Sequence, residues 1–123
     1  MARAVEARGN IFTLSGWSHT LPDKVAELAP SAPLFCHFTK SMVRNLEMLP
    51  ALEAMGYLGV VITIDNTINS RRRETMRRDF SMPPHTQFVT LLKYAAIKPN
   101  PGESFAAYHN RSNAFDISWE DIH

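Results

Sequence analysis

Gly56-Tyr57-Leu58-Gly59-Val60-Val61-Ile62-Thr63-Ile64-Asp65-Asn66 is the stretch whose reading decides the fold. Val60, Val61, Ile62 and Ile64 are β-branched and no charge interrupts residues 57–64, so the segment predicts a strand covered on both faces, as in a parallel sheet. Just upstream, Val43, Leu46, Leu49, Leu52 and Met55 recur at helical spacing behind Ser41, which reads as the cap, and Gly56 ends that helix. Pro50 interrupts the pattern. An interior proline costs a helix about 3 kcal/mol, so the segment is expected either to bend there or to form two shorter pieces.

Further back, Leu34-Phe35-Cys36-His37-Phe38 reads as a second strand, and Leu21 to Ala29 as a helix opened by a Thr20-x-x-Asp23 capping box and ended by Pro30. Ile11 to Leu14 is a short apolar run that closes on Ser15-Gly16. The chain thus alternates strand and helix, which implies an α/β fold with parallel strands and right-handed helical crossovers. Periodicity leaves an open doubly wound sheet and a closed barrel equally possible. Beyond the third strand, residues 65–115 read as a long irregular loop rich in Arg, Pro, Asn and His, broken at Met82-Pro83-Pro84 and at Lys98-Pro99-Asn100-Pro101-Gly102. Loops of that length in a compact domain are usually functional. Ser118-x-x-Asp121 then opens another helix.

The 123 residues are 45% hydrophobic and 20% charged, the composition of a soluble globular protein with a core to bury. A net charge of +1 is too small to point to nucleic acid or a membrane surface, although Arg71, Arg72, Arg73, Arg77 and Arg78 form a local basic cluster. Residues 1–10 carry charges of both signs and no apolar core of a signal peptide, and no stretch approaches the roughly 20 apolar residues of a membrane span. The single cysteine, Cys36, sits in an apolar run and makes no internal disulfide. An intracellular protein is therefore expected.

In parallel α/β proteins the active site forms at the C-terminal ends of the strands, so the residues to weigh are those that follow each apolar run. They are Ser15-Gly16-Trp17, His37-Phe38-Thr39 and Thr63-Ile64-Asp65-Asn66, with Arg71-Arg72-Arg73 beyond. The hydroxyls of Ser15 and Thr63 and the ring of His37 suit the polar rim of a planar heterocycle, Trp17 can wall a pocket, and an arginine fork matches a carboxylate. Each also has an ordinary structural reading: strand-end hydroxyls cap turns, a histidine in an apolar strand bonds backbone, an arginine run is a solvated face, and tryptophans pack. The five scattered histidines and lone cysteine give no metal-ligand spacing, and no dinucleotide or phosphate-loop motif is present.

Residues 56–84, GYLGVVITIDNTINSRRRETMRRDFSMPP, resemble the fourth-strand and loop segment of the FMN-dependent 2-hydroxy-acid oxidase and dehydrogenase family, G-(F/Y)-x-A-(I/L)-x-(L/I)-T-(V/I)-D-T-P-x-x-G-R-R-E in outline. Gly9-Asn10-Ile11-Phe12-Thr13-Leu14-Ser15-Gly16-Trp17 resembles the family's second-strand segment G-T-x-x-x-L-S-S-W. Asp116-Ile117-Ser118-Trp119-Glu120-Asp121-Ile122 resembles its D-x-S-L-S-W-x-D-(V/I) helix start. The resemblance spans nearly the whole chain and is weakest over residues 85–113.

That resemblance implies part of a TIM (β/α)8 barrel, with residues 1–123 a partial FMN hydroxy-acid dehydrogenase domain carrying strands two to four. It implies FMN as cofactor, with Ser15, His37 and Thr63 at flavin-binding positions, and a small 2-hydroxy acid as substrate, with Trp17, Thr39 and Arg72 at substrate-binding positions. Full-length relatives are then expected to be homo-oligomeric, and the compartment peroxisomal or cytoplasmic. The family's catalytic histidine, flavin-side lysine, second carboxylate-binding arginine and phosphate-binding loops belong to later strands, so no catalytic residue is expected in this chain. The departures are specific: the family's Gln-x-Tyr is His37-Phe38-Thr39, its Asp-Thr-Pro is Asp65-Asn66-Thr67, and its Gly-Arg-Arg-Glu is Ser70-Arg71-Arg72-Arg73. They support a second expectation, a decayed, non-catalytic paralogue that keeps the half-barrel as an interaction module. Three strands of a barrel of about 250 residues leave two open edges, so poor solubility in isolation is expected.

Overall fold

The computed structural model describes residues 1–43, 47–64, 73, 77, 89–98, 100–103, 105–112 and 118–121. Its frame is a three-stranded parallel sheet in the order β1 (Phe12–Leu14), β2 (Leu34–Phe38), β3 (Tyr57–Ile62). Helix α1 (Ala2–Glu6) precedes β1, α2 (Pro22–Leu28) connects β1 to β2, and α3 (Lys40–Val43) and α4 (Met48–Ala54) lie between β2 and β3. Helices α5 (Val89–Tyr94) and α6 (Phe105–Ser112) follow, then a 3₁₀ turn at Trp119–Asp121.

One face of the sheet carries the core. Leu14, Leu34, Cys36, Phe38 and Tyr57 pack with Val25 of α2, Met42 and Val43 of α3, and Met48 and Leu52 of α4, all buried. The strict alternation on β2, with Leu34, Cys36 and Phe38 buried and Phe35 and His37 only partly so, follows from the two-residue period of a strand. On β3 the period is interrupted. Leu34 pairs with Tyr57 but Phe35 pairs with Gly59, which leaves Leu58 as an extra residue, 69% exposed. Gly59 lies under the Phe35 ring, where a Cβ would stand 3.1 Å from Cε1.

Several expectations change against these elements. Residues 57–64 are expected to be covered on both faces, yet Leu58 and Val61 are exposed, because β3 is an edge strand whose second face has no layer over it among the described residues; Ile64, beyond the end of the strand, is exposed as well. The Thr20-x-x-Asp23 box does not form: Leu21 is the N-cap, Pro22 takes the first helical position and there is no side-chain cap, the Asp23 carboxylate accepting instead from the N–H of Lys24. Ser41 lies inside α3 rather than capping it, since the carbonyl of Thr39 accepts from the N–H groups of Met42 and Val43. The Pro50 segment is two short helices, but the proline is not at their junction. It sits in the first turn of α4, where its missing N–H is not needed.

Helix α1, unread in the sequence, is tied in by the Glu6 carboxylate, which accepts from the N–H of Ser31 at 2.7 Å. The span read as a 65–115 loop contains α5 and α6. They form because Lys98 donates to the carbonyls of Leu92 and Lys93 at the end of α5, and Arg111 forks onto the Glu103 carboxylate at 2.9 and 2.7 Å. The Tyr108 hydroxyl donates to the carbonyl of Ile97, and Tyr94, Ala95 and Tyr108 join the core.

Candidate functional site at the strand ends

The C-terminal ends of the three strands bring together residues from β1, β2 and β3. Leu14 pairs with Cys36 and His37 with Val61. Paired residues share a face, so Ser15, one position beyond Leu14, stands beside His37 on the face opposite the helix-packed core, and Thr63, two positions beyond Val61, continues that same face. The β3 bulge makes this possible: it allows Tyr57 to face the helices and Thr63, six residues on, to face the other way. A bond closes the arrangement, with His37 Nε2 2.7 Å from Thr63 Oγ1.

Gly16 holds the first strand end against the second. A Cβ there would lie 2.8 Å from the carbonyl oxygen of His37, 2.8 Å from Met42 Sδ and 3.1 Å from Thr39 Cγ2, so only glycine permits this approach. The turn that follows is built from Ser15, whose Oγ accepts from the N–H of Trp17 at 3.2 Å and whose carbonyl accepts from the N–H of Ser18. Ser15 therefore has the turn role that strand-end serines commonly have, and its exposed hydroxyl keeps a hydrogen to donate. Trp17 is half-buried and packs against the core cluster. Thr90, fully buried, clamps the turn from α5: its hydroxyl donates to the carbonyl of Thr20 at 2.9 Å and its N–H to that of Ser18.

His37 is half-buried, and burial lowers its pKa from the ordinary histidine value, favouring the neutral ring. Beneath it Cys36 is buried, its thiol pushed up to about 12 by desolvation, which leaves it a protonated core residue and no nucleophile. Thr39, 6% exposed, is packed where Gly16 approaches, at the start of α3, and does not stand out from the strand ends. Arg72, like Asp65, lies outside the described residues. Of the arginine cluster, Arg73 and Arg77 are described and both are exposed. Among the described residues no three His, Cys, Asp or Glu side chains gather, and no helix is long and apolar enough to cross a membrane.

Sequence reasoning thus named Ser15, His37 and Thr63, which the structure brings together, and missed Gly16 and Thr90, which hold them there. Gly16 was readable only as a turn glycine, because the carbonyl it must clear belongs to another strand. Thr90 carried a faint signal, a lone hydroxyl within the apolar run Val89-Thr90-Leu91-Leu92.

The whole chain, residues 1–123, matches the model of the FMN-dependent dehydrogenase family. Among curated proteins it is 28% identical to human 2-hydroxyacid oxidase 1 and 27% identical to glycolate oxidase 3 of Oryza sativa subsp. indica, in each case over 98% of this chain and 34% of the relative. The chain therefore spans about a third of the length of these relatives. Its fold superposes on a mutant of the active chimera of (S)-mandelate dehydrogenase with a TM-score of 0.73 at 22% identity, over 98% of this chain and 35% of that one. For a mandelate oxidase bound to 3,3-difluoro-2-hydroxy-3-phenylpropionic acid the TM-score is 0.65 at 19% identity, over 98% of this chain and 30% of that one. This likeness decides between the two architectures the periodicity allowed: the three parallel strands with their helices are a portion of a (β/α)8 barrel. The chain belongs to the FMN-dependent dehydrogenase family.

Proposed function

We propose that residues 1–123 supply strands two to four of an FMN hydroxy-acid dehydrogenase domain, and that their strand-end rim forms one wall of a flavin site in an oxidoreductase converting a 2-hydroxy acid to a 2-oxo acid. The observation that carries the reading is the bond of His37 to Thr63 at 2.7 Å at the C-terminal end of the sheet, where the strand register puts Ser15 on the same face. This donor set fits the group. Two hydroxyls and an imidazole can each donate or accept, as the alternating carbonyls and N–H of an isoalloxazine edge require. When bound, FMN supplies the acceptor for the hydride equivalents of the hydroxy acid.

The residues of this chain then bind and orient. Ser15, His37 and Thr63 hold the flavin edge, Trp17 walls the substrate side, and Arg72 neutralises the substrate carboxylate. Thr39 stands where the family pattern has a longer tyrosine, and from its buried position it leaves the substrate side of the pocket more open. The proton-abstracting group comes from elsewhere in a full barrel, so the isolated chain is expected to bind flavin weakly and not to turn over. The same reading proposes a location inside the cell, in the cytoplasm or a peroxisome, and homo-oligomers for full-length relatives.

Titrating FMN into the purified chain while recording backbone amide shifts tests this. The shifts should move at Ser15, His37 and Thr63. An FMN-induced change confined to other surfaces, or none at millimolar flavin, overturns the flavin wall. In that second case the exposed apolar residues of β3 favour a half-barrel that acts as an interaction module. Sequencing the coding DNA on both sides tests the partial-domain assignment: open reading frame with lysine- and histidine-bearing barrel strands supports it, and stop codons oppose it.

A further inference from the structure

We infer that His37 is a positioning residue for Thr63, setting whether the Thr63 hydroxyl offers a hydrogen or a lone pair at the strand-end rim. The proposal rests on the flavin-wall reading for its ligand, but the pairing itself is a property of this chain. The family pattern has glutamine at this position, and an amide presents its carbonyl and its NH2 as fixed, uncharged groups. An imidazole does not.

A threonine hydroxyl has one hydrogen and two lone pairs, and left alone it rotates to suit any neighbour. Here His37 Nε2 at 2.7 Å takes one of those positions. If Nε2 is unprotonated, Thr63 must donate to it, and what remains at the rim is an acceptor. If Nε2 carries a hydrogen, Thr63 accepts, and its own hydrogen is left for the rim. The imidazolium allows only the second arrangement, since both ring nitrogens are then donors. With the neutral ring's hydrogen on Nδ1, Thr63 donates to Nε2, and protonation of the ring then inverts the polarity of a hydroxyl on the next strand.

The surroundings leave that choice to the ring. Among the described side chains, those that face His37 are Thr13 and Ser15 from the first strand and its turn, Phe35 from its own strand, and Val61 and Thr63 from the third, none of them charged. From α3 the described neighbour at this point is Met42, on the backbone side. Cys36 is titratable but faces the core. Burial favours the neutral form of this imidazole, and acidification charges it, turning the rim hydroxyl from acceptor to donor.

Two measurements on the 123-residue chain test this. In the flavin-free protein, ring nitrogen shifts of His37 should report the Nδ1–H tautomer as dominant in the neutral state, and a dominant Nε2–H tautomer overturns the switch. T63V should relax it to a tautomer mixture, and T63S, which keeps the hydroxyl, should restore it. Identical tautomer populations in the parent chain and T63V overturn the inference. With FMN added, flavin affinity read by fluorescence quenching should change by about three- to ten-fold as His37 titrates, the worth of one neutral hydrogen bond. H37Q should bind flavin without that pH dependence. A pH dependence that survives in H37Q overturns the inference; no FMN binding at any pH overturns the flavin wall instead, and the tautomer comparison still decides the pairing. Should T63V fold poorly by circular dichroism, H37Q and T63S carry the comparison.

Discussion

At the scale of single residues, the rim depends on a position that bears no chemistry. Gly16 brings the end of β1 to the carbonyl of His37 and to Met42 Sδ, and a methyl group there meets both at 2.8 Å. Met42 is flexible, but a strand-end carbonyl is not, so the backbone must shift. Gly16→Ala is expected to destabilise the chain by about 1–3 kcal/mol, read as a lower urea midpoint at unchanged slope, and to perturb the His37 ring signals. A midpoint within error of the parent would show that the two strand ends are not packed this closely. Ser15, His37 and Thr63 were legible in the sequence as polar groups after apolar runs. Their convergence on one rim was expected from the strand-end rule and the family resemblance, but the direct pairing of His37 with Thr63 was not, because the pairing register between strands is a long-range property.

At the scale of elements, the helices show where local rules were followed and where packing overrode them. Pro50 occupies the first turn of α4, so its ring replaces no helical hydrogen bond. Pro50→Ala should change stability by less than about 0.5 kcal/mol; a gain of the ~3 kcal/mol expected on relieving an interior proline would place it in mid-helix instead. The α5–α6 unit, read in the sequence as loop, is organised by charge. The Arg111 fork and the N–H of Asn100 hold the Glu103 carboxyl at about 2, down from 4.5. A carboxyl whose folded pKa is depressed adds stability above its unfolded value, and that contribution is lost as pH falls. Acidification from 4.5 toward 2 should therefore loosen α5 and α6 before the sheet, seen as earlier amide exchange at Tyr94 and Tyr108. Arg111→Gln should show the looser exchange already at neutral pH. Equal protection of both regions throughout would separate Glu103 from the stability of this unit.

At the scale of the whole molecule, a parallel sheet with helices on one face leaves the other face and both edges without cover among the described residues. Leu58 (69% exposed) and Val61 (45%) line that exposure along β3, and a cleft of about 210 Å³ opens beside it between Leu49, Leu52 and Tyr57. Unpaired parallel edges with apolar side chains promote association. The chain should self-associate as its concentration rises, and replacing Leu58 and Val61 together with lysine should suppress this in light scattering without changing the far-ultraviolet dichroism. A parent chain that stays monodisperse at high concentration would mean that this face is covered.

The sequence by itself determined the three strands with the helical segments between them, the parallel sheet, the family and the polar residues at the strand ends, because these rest on local periodicity and on a motif contiguous in the chain. The tertiary structure alone decided which residues share a face. Tyr57 and Thr63 are six positions apart and in a regular strand would point the same way. The bulge at Leu58 turns one toward the helices and the other toward His37. No pattern within β3 records that step, since a bulge is defined only by the strand it pairs with.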